Sequence, residues 1–92
     1  MKIVLNSCFG GFSVSEECMK ALDLKSEYSA DRCDPRLIKM VEEDSELVSG
    51  FCAKLRVVEI PDTATDWELT SYDGLEGIIY VLDGKLYHID CD

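Results

Sequence analysis

The chain has 92 residues, 47% of them apolar, five cysteines and a net charge of −10. That length supports one compact core and excludes a second independent one, so residues 1–92 are expected to form a single domain. The cysteines Cys8, Cys18, Cys33, Cys52 and Cys91 form an odd set with no Cys-x-x-Cys pair, which argues against a disulfide framework or a zinc ribbon and fits reduced thiols in a cytoplasm.

The negative charge is uneven. Met1 to Arg56 carries ten acidic and eight basic residues, whereas Val57 to Asp92 carries nine acidic residues and only Lys85. Direct nucleic-acid binding needs a basic patch, and the lysines and arginines of the first two thirds lie among many carboxylates, so no nucleic-acid partner is expected. The apolar run after Lys2 is far shorter than a signal-peptide core or a membrane span, so no membrane partner is expected either.

Lys2 to Asn6 reads as a short buried strand, aliphatic without alternation and covered on both faces. It feeds the loop Ser7-Cys8-Phe9-Gly10-Gly11-Phe12, whose glycines can take positive φ and let backbone approach another segment. Ser13 with Glu16 offers a capping box and Ser15 is an equally good cap; either starts a helix to about Asp23 with Cys18, Ala21 and Leu22 inward. Leu24 to Cys33 has no sustained period and reads as a connecting loop.

Asp34-Pro35 marks a second helix start, with Asp at the N-cap and Pro at N1. This helix is expected to run to about Ser49, with Gly50 closing it. Leu37, Ile38, Val41, Leu47 and Val48 form its inner side, and Glu42, Glu43, Asp44 and Glu46 its outer side. Phe51 to Ile60, centred on Leu55 to Ile60, is a strand ended by Pro61-Asp62. Asp66 to Tyr72 alternates with Trp67 and Leu69 on one face, Leu75 to Leu82 follows, and Lys85 to Asp90 is last. Asp73-Gly74 and Asp83-Gly84 between them are hairpin turn signals. The order is β-α-α-β-β-β-β, an α+β fold with two helices on one face of a mostly antiparallel sheet.

Three separated blocks carry a family likeness. Met1 to Ser13 (MKIVLNSCFGGFS), Asp34 to Ile38 (DPRLI) and Ala53 to Asp62 (AKLRVVEIPD), together with Trp67-Glu68 and Tyr72-Asp73-Gly74, resemble a family of small proteins encoded by tailed bacteriophages and prophages. This chain is short between the first helix and Asp34-Pro35 compared with that family. The resemblance implies a phage or prophage origin and a life in the bacterial host cytoplasm, and it assigns no catalytic residue.

The strand, glycine loop and helix start together have the layout of an anion cradle, with Asn6, Ser7, Gly10, Gly11 and Ser13 as its candidate ligand-binding residues. No Gly-Lys-Ser/Thr follows, and the third glycine of a dinucleotide fingerprint is absent. Cys8 stands in this loop before a helix, so a nucleophile is one reading and a small packing residue the other. Val14 occupies the position where a Cys-x5-Arg phosphatase loop needs arginine. His88, Asp90, Cys91 and Asp92 have metal-like composition but lie at a chain end without a second cluster, so no metal and no cofactor is expected.

The favoured expectation is a small acidic protein-binding module, more a binder than an enzyme. Its partner would be a host or phage protein with a basic surface, met through Asp66, Glu68, Asp73 and Glu76 in host takeover or anti-defence. The alternative is binding of, or catalysis on, a small phosphorylated ligand at Cys8 to Gly11. A homodimer through an edge strand of the meander is a further expectation.

Overall fold

A computed structural model describes residues 1–51 and 53–90, with the side chain of Asp90 outside the description. The element order is β1 (Lys2–Asn6), α1 (Glu16–Leu22), α2 (Pro35–Val48), β2 (Leu55–Glu59), β3 (Asp66–Tyr72), β4 (Leu75–Leu82) and β5 (Lys85–Asp90). This is the expected α+β order. The strands, however, divide into a two-stranded sheet, β1-β2, and a three-stranded sheet, β3-β4-β5, every pair antiparallel.

The division follows from the two apolar faces of β1 and β2. Successive strand residues point to opposite faces. Val4 and Leu55 join Phe12, Val14, Cys18, Leu22, Leu37, Val41 and Val48 on the helical side. Ile3, Leu5, Val58 and Ile60 pack on the other side against Ile78 of β4, with Trp67, Leu69, Tyr80 and Ile89 around them. One sheet with helices on a single face would leave that second apolar face wet. The molecule instead stacks helices, β1-β2 and the β3-β4-β5 meander in three layers, and each core residue buried this way contributes about 1.5–3 kcal/mol.

The helix caps follow the sequence closely. Of the two candidate serines, Ser15 is the N-cap of α1, its Oγ accepting the Cys18 amide at 3.2 Å. Asp34 caps α2 by accepting the Arg36 amide at 2.9 Å, with Pro35 opening the helix. Two inward assignments fail: Ala21 and Leu47 are exposed. At Leu47 the cause is Asp44, whose φ of −158° and ψ of 86° break the helical period, so the final turn is rotated while Val48 stays buried. The Asp44 carboxylate accepts the Leu47 amide at 3.3 Å, acting as a cap for that last turn.

Gly50 does not end α2 in a left-handed conformation, since Ser49 is the extended C-cap. Its lack of a side chain serves a close approach, because a Cβ there would collide with the Ser13 side chain. Both Asp-Gly turns form as expected, with φ of 49° and 90° at Asp73 and Gly74 and of 52° and 76° at Asp83 and Gly84. Positive φ at both central residues is the type I′ geometry that matches strand twist. Among the described residues, no helix is long and apolar enough to cross a membrane.

Candidate functional site

The glycine loop is the meeting point of the layers. Gly10 and Gly11 hold φ of 118° and 99°, conformations that L side chains rarely adopt. The segment they approach is the β3–β4 turn: Gly10 donates to the Asp73 carbonyl at 2.9 Å. A Cβ on Gly74 would collide with the Gly11 amide nitrogen and lie 2.6 Å from its Cα, so both sides of the contact are bare backbone.

Asn6 locks this junction from beneath. Its Nδ2 donates to the carbonyls of Cys8 at 2.6 Å and Gly74 at 2.7 Å, and its Oδ1 accepts the Lys54 amide at 2.9 Å. Ser7 donates from both its amide and its Oγ to the Lys54 carbonyl, at 2.7 and 2.8 Å. The Ser13 carbonyl accepts the Gly50 amide at 3.0 Å while its side chain is buried. The structure thus gathers Asn6, Ser7, Gly10, Gly11 and Ser13 into one region, and it commits the Asn6 Nδ2, the Ser7 donors and the Gly10 N–H to protein carbonyls. The place expected for an anion is taken by a turn of the same chain. The physical reason is that a fully buried asparagine must satisfy its polar atoms internally.

Cys8 is a half-buried free thiol in this loop. The first helix begins only at Glu16, so Cys8 does not directly precede its N-terminus in the chain. His88 lies opposite Ile79, well along β4 from Gly74. Burial pushes the Cys18 and Cys33 thiols up, with the negative charges of Asp34 and Asp31 respectively adding to it, so both are poor nucleophiles. Among the described residues, no three His, Cys, Asp or Glu side chains gather as a metal site; Cys52, Cys91 and Asp92 lie outside those residues. A depression of about 260 Å³ lined by Glu16, Met19, Lys20, Asp23 and Leu24 lies against α1.

The acidic third separates into two kinds of carboxylate. Asp66, Glu68 and Asp73 are exposed, and none of them enters an ion pair among the described residues. Asp66 and Glu68 share a face of β3 with Tyr72, opposite the face of Trp67 and Leu69 that meets the core. Glu76 requires a correction: expected on the partner-binding surface, it is buried. Its register opposite Ser71 and two residues before Ile78 places it on the core face, where it meets a guanidinium.

That guanidinium belongs to Arg32. Its Nη1 and Nη2 donate to Glu76 Oε1 and Oε2 at 2.6 and 2.8 Å, and Nη1 also donates to the Val4 carbonyl at 3.2 Å. The same group lies 3.7 Å from the centre of the Phe12 ring. Sequence reasoning missed this constellation, since Arg32 stands in a loop of mixed polarity with no local pattern. It also missed a second aromatic feature. Phe9 of the glycine loop and Tyr72 at the end of β3 meet edge to face, ring centres 6.4 Å apart and planes at 72°. Each flanks one of the two joined turns, and that was the only signal available.

Comparisons with protein-family models, with curated proteins and with solved structures returned no match to this chain.

Proposed function

We propose that this chain is a small acidic protein-binding module of phage or prophage origin that engages a basic surface of a host or phage protein in the bacterial cytoplasm, in host takeover or in countering host defence. The phage assignment rests on the three sequence blocks described above. The observation that carries the binding reading is the outer face of the meander, where Asp66 and Glu68 stand exposed on β3 with Asp73 at the turn, none of them in an ion pair among the described residues. Exposed carboxylates outside any ion pair among the described residues lend complementarity and steering toward a basic partner. The phosphorylated-ligand alternative gains no support from a loop in which the Ser7 donors and the Gly10 N–H already bind carbonyls of the same chain.

The experiment is a kinetic one on the partner isolated from infected cells. Association of the wild-type protein is expected to slow as salt rises from about 50 to 200 mM, because the Debye length falls from about 14 to 7 Å. The variant Asp66→Asn/Glu68→Gln/Asp73→Asn is expected to slow association far more than it speeds dissociation. Glu76 is left intact because its replacement tests folding. An on-rate indifferent to both salt and this substitution would overturn the reading and leave the acidity as a solubility device.

A further inference from the structure

Building on the acidic-module reading above, we infer that the anchor of the docking face is the Phe9–Tyr72 pair, and that it receives an arginine side chain from an extended basic segment of the partner.

Phe9 and Tyr72 are 58% and 72% exposed, yet the backbones that carry them are held together by the Gly10 N–H to Asp73 carbonyl bond and by Asn6 bridging Cys8 and Gly74. Large aromatic side chains on preorganised backbone are the usual anchors of protein interfaces, because little conformational freedom is lost when a partner covers them. Tyr72 shares its β3 face with Glu68 and Asp66, while Asp73 follows it in the turn. Ile79 and Val81 of β4 stand opposite Glu68 and Asp66 on that same face, so an apolar strip runs beside the carboxylates.

The choice of arginine comes from the protein's own interior. Arg32 lies over the Phe12 ring while both its terminal nitrogens bind the Glu76 carboxylate. This is the pairing that suits a planar guanidinium and not a compact ammonium. The surface carries the same chemical elements, the Phe9 and Tyr72 rings with Asp73 next to Tyr72 in the chain, and among the described residues Asp73 enters no ion pair. Alternate residues of an extended segment recur about every 6.6–6.8 Å, the same repeat that spaces Asp66, Glu68, Thr70 and Tyr72 along one face of β3.

The test uses defined probes: acetyl-(Arg-Val)3-Arg-amide, the same peptide with lysine in place of arginine, and the same peptide with glutamate. Affinities are read by calorimetry and contacts by amide shifts of the 15N-labelled protein. The arginine peptide is expected to bind more tightly than the lysine peptide, by at most about 2- to 5-fold, the whole of an exposed cation–π contact, and to move the Phe9 and Tyr72 amides. The glutamate peptide is expected not to bind.

Phe9→Leu/Tyr72→Leu, whose fold is checked by circular dichroism, is expected to lose the arginine preference while still binding the lysine peptide. Equal affinity of the two basic peptides for the wild type would overturn the inference, as would a preference that survives in the leucine variant or failure of either peptide to bind at millimolar concentration. Loss of binding in Asp66→Asn/Glu68→Gln without any arginine preference in the wild type would leave the acidic module standing and remove its aromatic anchor.

Discussion

Arg32 and Glu76, 44 residues apart in sequence, form a two-pronged ion pair along the outer edge of β1 and there take the place of a third strand. The Val4 amide donates to the Arg32 carbonyl at 2.9 Å, the Val4 carbonyl accepts from the Arg32 guanidinium, and the Asn6 amide donates to Glu76 Oε1 at 2.8 Å. An edge strand must satisfy or hide its polar groups. Here a loop arginine and a glutamate from the other sheet satisfy three of them, and the same pair fastens the meander to the central layer.

Removal of one partner is therefore expected to cost more than the pair is worth. Glu76→Met strands the Arg32 guanidinium and the Asn6 amide, and Arg32→Met strands the carboxylate; each is expected to destabilise by about 3 kcal/mol. The double variant Arg32→Met/Glu76→Met is expected to lose less than the sum. Urea denaturation of the four proteins checks this, and additive losses would show that the two groups are not energetically coupled.

The glycine contacts separate into crowding and strain. Gly74→Ala brings a Cβ against Gly11 backbone at a positive φ and is expected to cost about 2–3 kcal/mol. A Cβ at Gly11 meets nothing within 4 Å, so for Gly11→Ala only the φ of 99° opposes the substitution, at about 1–2 kcal/mol. Thermal melting is the readout. A larger loss for Gly11→Ala than for Gly74→Ala would contradict the packed junction.

Asp34 links stability to pH. Hydrogen bonds from the Arg36 guanidinium and the Arg36 amide hold its carboxyl below the usual carboxylate range. A folded-state pKa below the unfolded value means stability that is present above about pH 4 and is lost as pH falls through the lowered folded value. Asp34→Ala is expected to cost about 1 kcal/mol at neutral pH, the loss of an N-cap. The gap between wild type and variant is expected to close on acidification, measured as melting temperature against pH; a constant gap would assign the effect to something other than the charged cap.

Cys8→Ala is expected to leave fold, partner association and biological effect intact, because alanine preserves a small residue in the loop. Loss of the effect by orders of magnitude in a folded variant would show a thiolate at work and reverse the preference for a binding module.

Local chemistry alone was enough for the elements: a helix start at Ser13 or Ser15, Asp34-Pro35 as the second helix start, Asp73-Gly74 and Asp83-Gly84 as turns, and the order of seven elements all follow from residues within a few positions of one another, while the choice of Ser15 over Ser13 came from the structure. The glycine loop was legible as a place of close backbone approach, but not what would approach it. Only the tertiary structure decided that, along with the division into two sheets and the inward turn of Glu76. Strand periodicity says which residues share a face and is silent on which layer the face meets. Because both faces of β1-β2 are apolar, the meander covers the side the helices leave open, and that placement brings Glu76 to Arg32 and Gly74 to Gly11. A carboxylate that the sequence left on an acidic surface became the clamp of the core because burial and pairing are set by neighbours distant along the chain.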